Sequence, residues 1–502
     1  MKSIIKFAIV LIVTGLLASC EGYLDVNTDP NNPTTVTPNL VLPVGQYYTA
    51  QYQQDDRGIS HLGNMMMVNW SQSDGFSWYS DEFKYNVTSS FYSRIFNNTF
   101  ANTLKQYQIL YNLEDEKYVN YKAIAMIMKS FHFQQLVDCY GDIPYTEALG
   151  RSKEATPAYD DAQTIYEDLI VQINAAIELI KNAPALAVVP GSDDAMFGGN
   201  MEDWIRFANS LKIRILTRQS SMEGRASYIT SELAAIASEG TGYITTDVGI
   251  NPGYIPKNTG KQNPMWNTLG WDEGGTKTMS YNATCATAYT LQYLTATNDP
   301  RIDYIYEKPI TNHLGVPQGL LDYDTPVADQ FMPDKVSNIG PGILKASDMD
   351  AIILTMAEHC FNLAELRERG LLTTGPSAEE LFEDGITASF DYLGVEAVLP
   401  DVDTAEVYYS QSLNLVNWGN SINKIEAIIT QKWIATNGIT AEQSWFDYSR
   451  TGYPSGLPLP LNYNATADRP VRLFYPAGEY SSNGDNVPTQ PNAFTEKIFW
   501  GN

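Results

Sequence analysis

Two segments of the chain combine aromatic side chains with carboxylates and amides, among glycine, serine and asparagine residues. Sugar rings stack their flat C–H faces on tryptophan and tyrosine, while amides and carboxylates bind the hydroxyl groups. These residue types therefore predict a sugar-binding site formed by Trp70, Asp74, Trp78 and Tyr79 in loop 69–85, and by Asn263, Trp266, Trp271 and Asp272 in a second loop. For each tryptophan the alternative is an ordinary core position, because large proteins bury most of their tryptophans.

A glycoside hydrolase is the main alternative to a binding protein. That reaction needs two carboxylates roughly 5 to 9.5 Å apart across a cleft. The chain has 58 acidic residues, which always supply some such pair, and the sequence distinguishes none of them. Glu358-His359 lacks the second histidine of an HExxH zinc motif, and no GxSxG motif is present. We therefore predict that the protein is not an enzyme.

Metal ligands are sparse in the sequence. The four histidines are isolated from one another, and two of them, His132 and His359, lie on apolar helical faces, where core positions are favoured. Acidic pairs at 322–324 and 401–403 could supply oxygen ligands for calcium, but both lack the glycine and terminal glutamate of an EF-hand loop. The sequence predicts no cofactor, with calcium left open as an alternative.

The N-terminus has the pattern of an export signal. Lys2 and Lys6 precede an apolar stretch at 7–18, which is too short to span a bilayer and suits a signal peptide. The stretch ends in Leu-Ala-Ser before Cys20, which resembles a bacterial lipobox. We therefore predict that residues 1–19 are removed and that Cys20 carries the lipid that anchors the mature protein to a membrane.

Charge and cysteine content exclude several classes of protein. Removal of residues 1–19 takes away two lysines, so the formal net charge changes from −26 to −28. Such a charge opposes binding to nucleic acid and to anionic membrane surfaces. Three cysteines remain after Cys20, and this odd number argues against a disulfide framework.

Helical periodicity dominates the rest of the chain and predicts an all-α fold. The strongest signal is Tyr118–Leu149, where apolar residues recur at i, i+3, i+4 and i+7 until Gly141 ends the helix. Further helices are predicted at 43–56, 61–70, 90–113, 162–181, 200–220, 349–369, 377–393 and 421–437. Successive antiparallel helices of similar length suggest a helical-hairpin repeat.

Two regions depart from this helical pattern. Residues 20–42 are rich in proline, asparagine and threonine, and predict an extended leader. Residues 241–342 are rich in loops, with only 284–296 clearly helical, and we expect this insertion to carry the ligand site. No low-complexity linker divides residues 20–502, so we expect them to form a single domain. The last 60 residues are expected to wrap the surface of this domain.

Nine short blocks occur in order along nearly the whole chain. They are YLDVNTDPN from Tyr23, YGDIPYTEAL from Tyr140, WIRFANSLKIRILTR from Trp204, NDPRIDYI from Asn298, AEHCFNLAELRERG from Ala357, AEELFEDGITASFDYLG from Ala378, IEAIITQKWIA from Ile425, WFDYSRTGYP from Trp445 and VRLFYPAGEY from Val471. Together they resemble the SusD/RagB family of bacterial outer-membrane nutrient-binding lipoproteins. Ser449 departs from the pattern, since the family often has a second arginine before Arg450, and the loops match nothing in it.

The resemblance implies a fold of tetratricopeptide-like helical hairpins, anchored by lipid at the outer membrane and facing the outside of the cell. It also implies a partnership with a TonB-dependent transporter of the SusC type, to which the lipoprotein hands an oligosaccharide or, in some relatives, a peptide. This is the role expected in polysaccharide utilisation of the Bacteroidetes type. The alternatives left open are a glycoside hydrolase, and a helical-repeat lipoprotein that binds peptides or serves as a protein scaffold.

Overall fold

The computed structural model describes residues 37–150, 154–258, 260–310, 312–320, 330–396, 403–461 and 468–501. Helices dominate these residues, as the sequence predicts. Those of the first half are α1 (Pro38–Gln54), α2 (Ile59–Met66), α3 (Ser80–Lys84), α4 (Arg94–Asn98), α5 (Lys105–Tyr111), α6 (Val119–Tyr140), α7 (Ala162–Lys181), α8 (Met201–Arg218) and α9 (Ala226–Glu239). The signal peptide, Cys20 and the leader up to residue 36 lie outside the described residues. Because α1 begins at Pro38, the predicted leader boundary at 42 is wrong by several residues.

The helices of the second half are shorter and more widely spaced. They are α10 (Pro264–Leu269), α11 (Met279–Ala283), α12 (Ala288–Ala296), α13 (Ile302–Ile305), α14 (Met356–Glu368), α15 (Ala378–Leu393), α16 (Thr404–Tyr409), α17 (Lys424–Thr436), α18 (Ala441–Thr451) and α19 (Ala477–Ser482). The described part of segment 241–342 is mostly irregular chain with short helices, as expected for the insertion.

Three antiparallel pairs of short strands supplement the helices. They are β1 (Trp70–Gln72) with β5 (Thr284–Ala286), β2 (Ile143–Pro144) with β3 (Tyr159–Asp160), and β4 (Val248–Ile250) with β6 (Ala351–Leu354). Two predicted helices therefore start too early, at 284 and at 349. Both starts contain short buried runs, and a short buried apolar run has no periodicity that separates a strand from a helix.

Helix α6 is the centre of the first half and confirms the strongest sequence signal. Gly141 ends it at a positive φ of 77°, which glycine adopts without the steric cost of a Cβ atom. The helix is buried on nearly all sides, and only Val119, Lys122 and Lys129 are partly accessible. Helices α5, α7 and α8 all pack against it. The sequence predicted that one face of the helix is buried, whereas the structure buries nearly its whole circumference.

Helix α18, like α9, was not predicted from the helical periodicity. It was assigned to a surface-wrapping tail, yet nearly all its residues are buried. Its first turn packs so closely on α2 that a Cβ atom at Gly63 would lie 2.1 Å from the backbone nitrogen of Glu442. Many of its buried side chains are polar, including Asp447 and Arg450, and a search for apolar periodicity does not detect such a helix.

Buried cysteines and histidines belong to the packing of the core. Cys139, Cys285 and Cys360 are buried free thiols, which confirms that they form no disulfide framework. Burial lowers the pKa of His132 and of His359 to about 3, so both rings are neutral core groups, as predicted. Among the described residues, no helix is long and apolar enough to span a bilayer.

Candidate functional site

The pairing of β1 with β5 brings the two predicted loops together. Trp70 lies opposite Ala286 and Gln72 lies opposite Thr284 in this sheet. The contact continues past the strand, because the backbone N–H of Ser73 donates to the carbonyl of Ala283 at 2.9 Å. Loop 69–85 is therefore attached to the strand that follows the second loop, although some 200 residues separate the two loops in the chain.

Gln72 organises the tip of the first loop. Its side-chain oxygen accepts hydrogen bonds from the backbone N–H groups of Trp78, at 2.7 Å, and of Tyr79, at 3.3 Å, while its amide donates to the carbonyl of Phe76. Arg57 donates to the carbonyl of Trp78 at 2.8 Å. These bonds fix the backbone beside Trp78, whose side chain is 36% exposed and packs edge-on against Phe76 with ring centroids 5.2 Å apart.

Three of the predicted site residues lie in the interior. Trp70 is 1% exposed and packs against the ring of His61, and Tyr79 is 2% exposed with its hydroxyl 2.8 Å from Thr284 Oγ1. Asn263 is fully buried, where its side chain caps α10 by accepting from the N–H of Trp266 at 3.0 Å. In this structure these side chains support the loops and present no face to solvent.

The second loop carries two adjacent indole rings that are both partly accessible. The ring centroids of Trp266 and Trp271 are 4.8 Å apart at an angle of 39°. Tyr281, which the sequence did not single out, packs against Trp271 with ring centroids 5.1 Å apart. The Tyr281 hydroxyl donates to the carboxylate of Glu307, and burial raises its pKa above the ordinary value.

A hairpin-like turn holds Asp272 at the edge of this aromatic cluster. Trp271 and Lys277 form an antiparallel bridge, and the Asp272 carboxylate accepts from the N–H of Thr276 at 2.9 Å. Lys277 Nζ lies 4.5 Å from the Tyr281 ring centroid and 3.2 Å from a Glu307 carboxylate oxygen. Asp272 is exposed, so the turn places a carboxylate and an ammonium group beside the indoles.

Asp74 occupies the start of the first loop and is partly accessible. Its backbone N–H donates to the carbonyl of Phe331 at 2.8 Å, and its carboxylate accepts from the N–H of Gly75 at 2.8 Å. The structure therefore leaves five of the eight predicted side chains accessible to a ligand. They are Asp74, Trp78, Trp266, Trp271 and Asp272.

A cavity of about 210 Å³ lies beside the first loop, and the sequence did not indicate it. Arg57 lines this cavity and also binds the carbonyl of Trp78, so the cavity and the loop share one side chain. Tyr47, Arg94 and Asn98 also line it. They come from α1 and α4, and the helical pattern alone could not show that these helices leave a gap between them.

The described residues contain no group of three or more histidine, cysteine, aspartate or glutamate side chains arranged to hold a metal ion. Of the acidic pairs considered for calcium, the whole pair at 322–324 and the first member of the pair at 401–403 lie outside the part of the chain that the structure describes. Asp403 is described, and its carboxylate caps α16 by accepting from the N–H groups of Ala405 and Glu406.

Comparison with known proteins identifies the family. Residues 30–476 match the family model of SusD-like proteins, described as starch-binding and associating with the outer membrane. The chain belongs to the SusD-like family. The resemblance seen in the sequence blocks is thereby confirmed, and with it the association of this family with the outer membrane. No curated protein sequence matches the chain.

Solved structures confirm that the chain has the SusD-like fold. A SusD homologue from Bacteroides vulgatus aligns with a TM-score of 0.75 and 21% identity, covering 92% of this chain and 97% of the other. A chitin-binding protein aligns at 0.73 and 22%, covering 92% and 99%. A chitin-binding SusD homologue from Flavobacterium johnsoniae aligns at 0.71 and 21%, covering 92% and 96%.

Proposed function

We propose that this SusD-like protein is a cell-surface lipoprotein that captures a glycan and delivers it to a TonB-dependent transporter of the SusC type. The observation that carries the proposal is the pair of accessible indoles, Trp266 and Trp271, with Asp272 and Lys277 beside them. Aromatic faces supply stacking area, and charged groups at their edge orient hydroxyl groups by hydrogen bonds.

The first loop supplies a further part of the proposed site. Trp78 offers a third accessible indole, and its backbone is held by Gln72 and Arg57 before any ligand arrives. A rigid loop loses less conformational entropy when a ligand binds, which favours affinity. We therefore place the glycan along loop 69–85 and segment 263–281, which the β1–β5 pairing joins.

The chemical class of the glycan is proposed from the family and its relatives. The family is described as starch-binding, and two of the similar structures are chitin-binding proteins. Oligosaccharides of starch and of chitin are therefore the first ligands to test. The chain shares only 21–22% sequence identity with these two chitin-binding proteins, so the experiment below tests both polymers.

The experiment is calorimetric titration of residues 21–502 with starch and chitin oligosaccharides, followed by chromatography of each mixture. We expect saturable binding, with the oligosaccharide recovered intact. Shortened oligosaccharides would show a glycoside hydrolase and contradict the proposal. Binding of a peptide panel instead of any glycan would favour the peptide-binding alternative, and no binding to either panel would favour a protein scaffold.

Membrane attachment and the transporter are tested in the native host. We expect mass spectrometry to find acyl chains on Cys20, and a Cys20→Ser variant to be released from the membrane. We also expect the native protein to co-purify from detergent-solubilised outer membranes with a large TonB-dependent barrel. An acylated Cys20→Ser variant would contradict the anchor, and a native protein free of any such barrel would contradict the delivery step.

A further inference from the structure

A second cavity, of about 240 Å³, lies between α5, α6 and α7, and Tyr145, Thr146 and Ala148 also line it. None of the residues proposed to bind the glycan lines it. A cavity of about 150 Å³ is enough to hold a benzene molecule, so this one has room for a small organic ligand but not for an oligosaccharide.

Lys129 carries the positive charge of this cavity. Its ammonium group donates to the side-chain oxygen of Gln108 at 2.6 Å and lies 4.2 Å from the ring centroid of Tyr111. Among the described residues, no carboxylate lies within 4.0 Å of it. Burial lowers its pKa to about 8, a shift that the charge of Asp168 opposes. Two of the three N–H donors of this ammonium group therefore lack a described acceptor.

Asp168 carries the negative charge. Its Oδ2 atom accepts from the Tyr145 hydroxyl at 2.5 Å and from the Gln172 amide at 3.2 Å. Its Oδ1 atom receives no hydrogen bond from any residue that the structure describes. The carboxylate is therefore held in place through one oxygen, while the other is available to a ligand.

The two charges come from different helices, and both residues line the cavity. Helices α5 and α7 both pack on α6, and the Lys129 ammonium group is bound to Gln108 on α5, whereas Asp168 belongs to α7. Met126, Phe133 and Ala148 supply the apolar part of the lining. A simple anion would be opposed by Asp168, and a simple cation by Lys129, whereas a neutral sugar would leave both charges unpaired.

We propose that this cavity binds a small zwitterion of the α-amino acid class, with its carboxylate on Lys129 and its ammonium group on Asp168. The apolar lining would receive the side chain of the amino acid. The site is separate from the proposed glycan site and does not depend on it, so the protein would carry two ligands of different chemistry.

Calorimetry of residues 21–502 with the standard L-amino acids tests the proposal directly. We expect saturable binding of at least one apolar amino acid. Its deaminated acid and its decarboxylated amine should each bind at least tenfold more weakly, because each can pair with only one of the two charged residues. Equal binding of either analogue, or no binding of any amino acid, would overturn the proposal.

Variants test the contributions of Lys129 and Asp168 separately. Asp168→Asn keeps the shape of the side chain, and Lys129→Met keeps most of its length, and each should lower the affinity for the amino acid at least tenfold. Lys122→Met is the matched control: Lys122 lies 5.4 Å from the same Tyr111 ring but does not line the cavity. If Lys129→Met does not fold, Asp168→Asn and the analogue series still decide the outcome. All three variants should bind the glycan as the wild type does, and unchanged amino-acid affinity in Asp168→Asn would refute the assignment.

Discussion

The carboxylate of Asp447 lies 2.7 Å from a guanidinium nitrogen of Arg218, although 229 positions separate the two residues. Lys432 approaches the same carboxylate at 2.7 Å and Arg450 approaches it at 3.0 Å, and all four side chains are buried. Arg450 also binds Glu365 at 2.6 Å. These residues come from four of the sequence blocks that resemble the SusD/RagB family, so the blocks meet in one buried network of charges.

Removal of Asp447 should destabilise the fold. The Asp447→Asn variant leaves Arg218, Lys432 and Arg450 with one anionic partner fewer in the interior. Breaking a buried ion pair by removing one partner costs about 3 to 5 kcal/mol. We expect the free energy of unfolding, measured in urea, to fall by this amount. The exposed variant Asp485→Asn is the control, and a loss below about 1 kcal/mol in Asp447→Asn would contradict this role.

The stability of the protein should depend on pH through Glu442. Burial raises the pKa of this carboxyl from its ordinary value of 4.5 to about 7, while hydrogen bonds such as that from Gln53, at 2.8 Å, oppose the shift. The folded state therefore binds the proton more tightly than the unfolded state, and the resulting stabilisation is lost as pH rises from about 4.5 to about 7. This pKa shift corresponds to a change of at most about 3 kcal/mol in the free energy of unfolding.

Glu442→Gln removes this titration while keeping an oxygen acceptor for Gln53. Its stability relative to the wild type should therefore increase between pH 5 and pH 8, as measured by urea unfolding at each pH. Glu379→Gln, at an exposed position of α15, should show no such trend. If the free energies of unfolding of Glu442→Gln and the wild type differ by the same amount at every pH in this range, Glu442 does not titrate there.

Replacement of Trp271 should weaken glycan binding. The Trp271→Ala variant removes the ring that lies between Trp266 and Tyr281, and with it much of the stacking surface. We expect the affinity for the glycan to fall about tenfold or more, which is about 1.4 kcal/mol. The matched control is Trp418→Ala, another partly accessible tryptophan, which packs on Phe382 outside both loops. Equal affinities of Trp271→Ala and the wild type would place the glycan elsewhere.

Replacement of Trp70 should lower stability, whereas replacement of Trp78 should weaken glycan binding. Trp70 is buried and its replacement by alanine should lower the free energy of unfolding by about 3 to 5 kcal/mol, because a large cavity remains. Trp78 is 36% exposed, so Trp78→Ala should change stability by less than about 1 kcal/mol and weaken glycan binding instead. Urea unfolding and calorimetry on both variants test this difference, and a Trp78→Ala variant as unstable as Trp70→Ala would assign Trp78 to the core.

Local signals in the sequence determined much of the scaffold. The bounds of α7 and the capping box of α15, in which Ser377 and Glu380 exchange hydrogen bonds, follow from short-range periodicity and capping chemistry. The family blocks predicted the fold as a whole, and the family model confirms it. The lipobox at Cys20 is also a local signal, and the lipid on Cys20 stays a prediction.

Only the tertiary structure decided which residues of the aromatic loops face solvent. Trp70 and Trp78 lie eight positions apart in one polar segment, yet one is buried against His61 and the other is exposed. The meeting of Gln108, Lys129 and Asp168 in one cavity depends on how three helices pack, and the ion pair between Arg218 and Asp447 joins helices that are distant in the chain. Periodicity reports the face that a single helix buries. Which side chains meet across the gaps between elements depends on how those elements pack, and packing of residues far apart in the chain leaves no local pattern in the sequence.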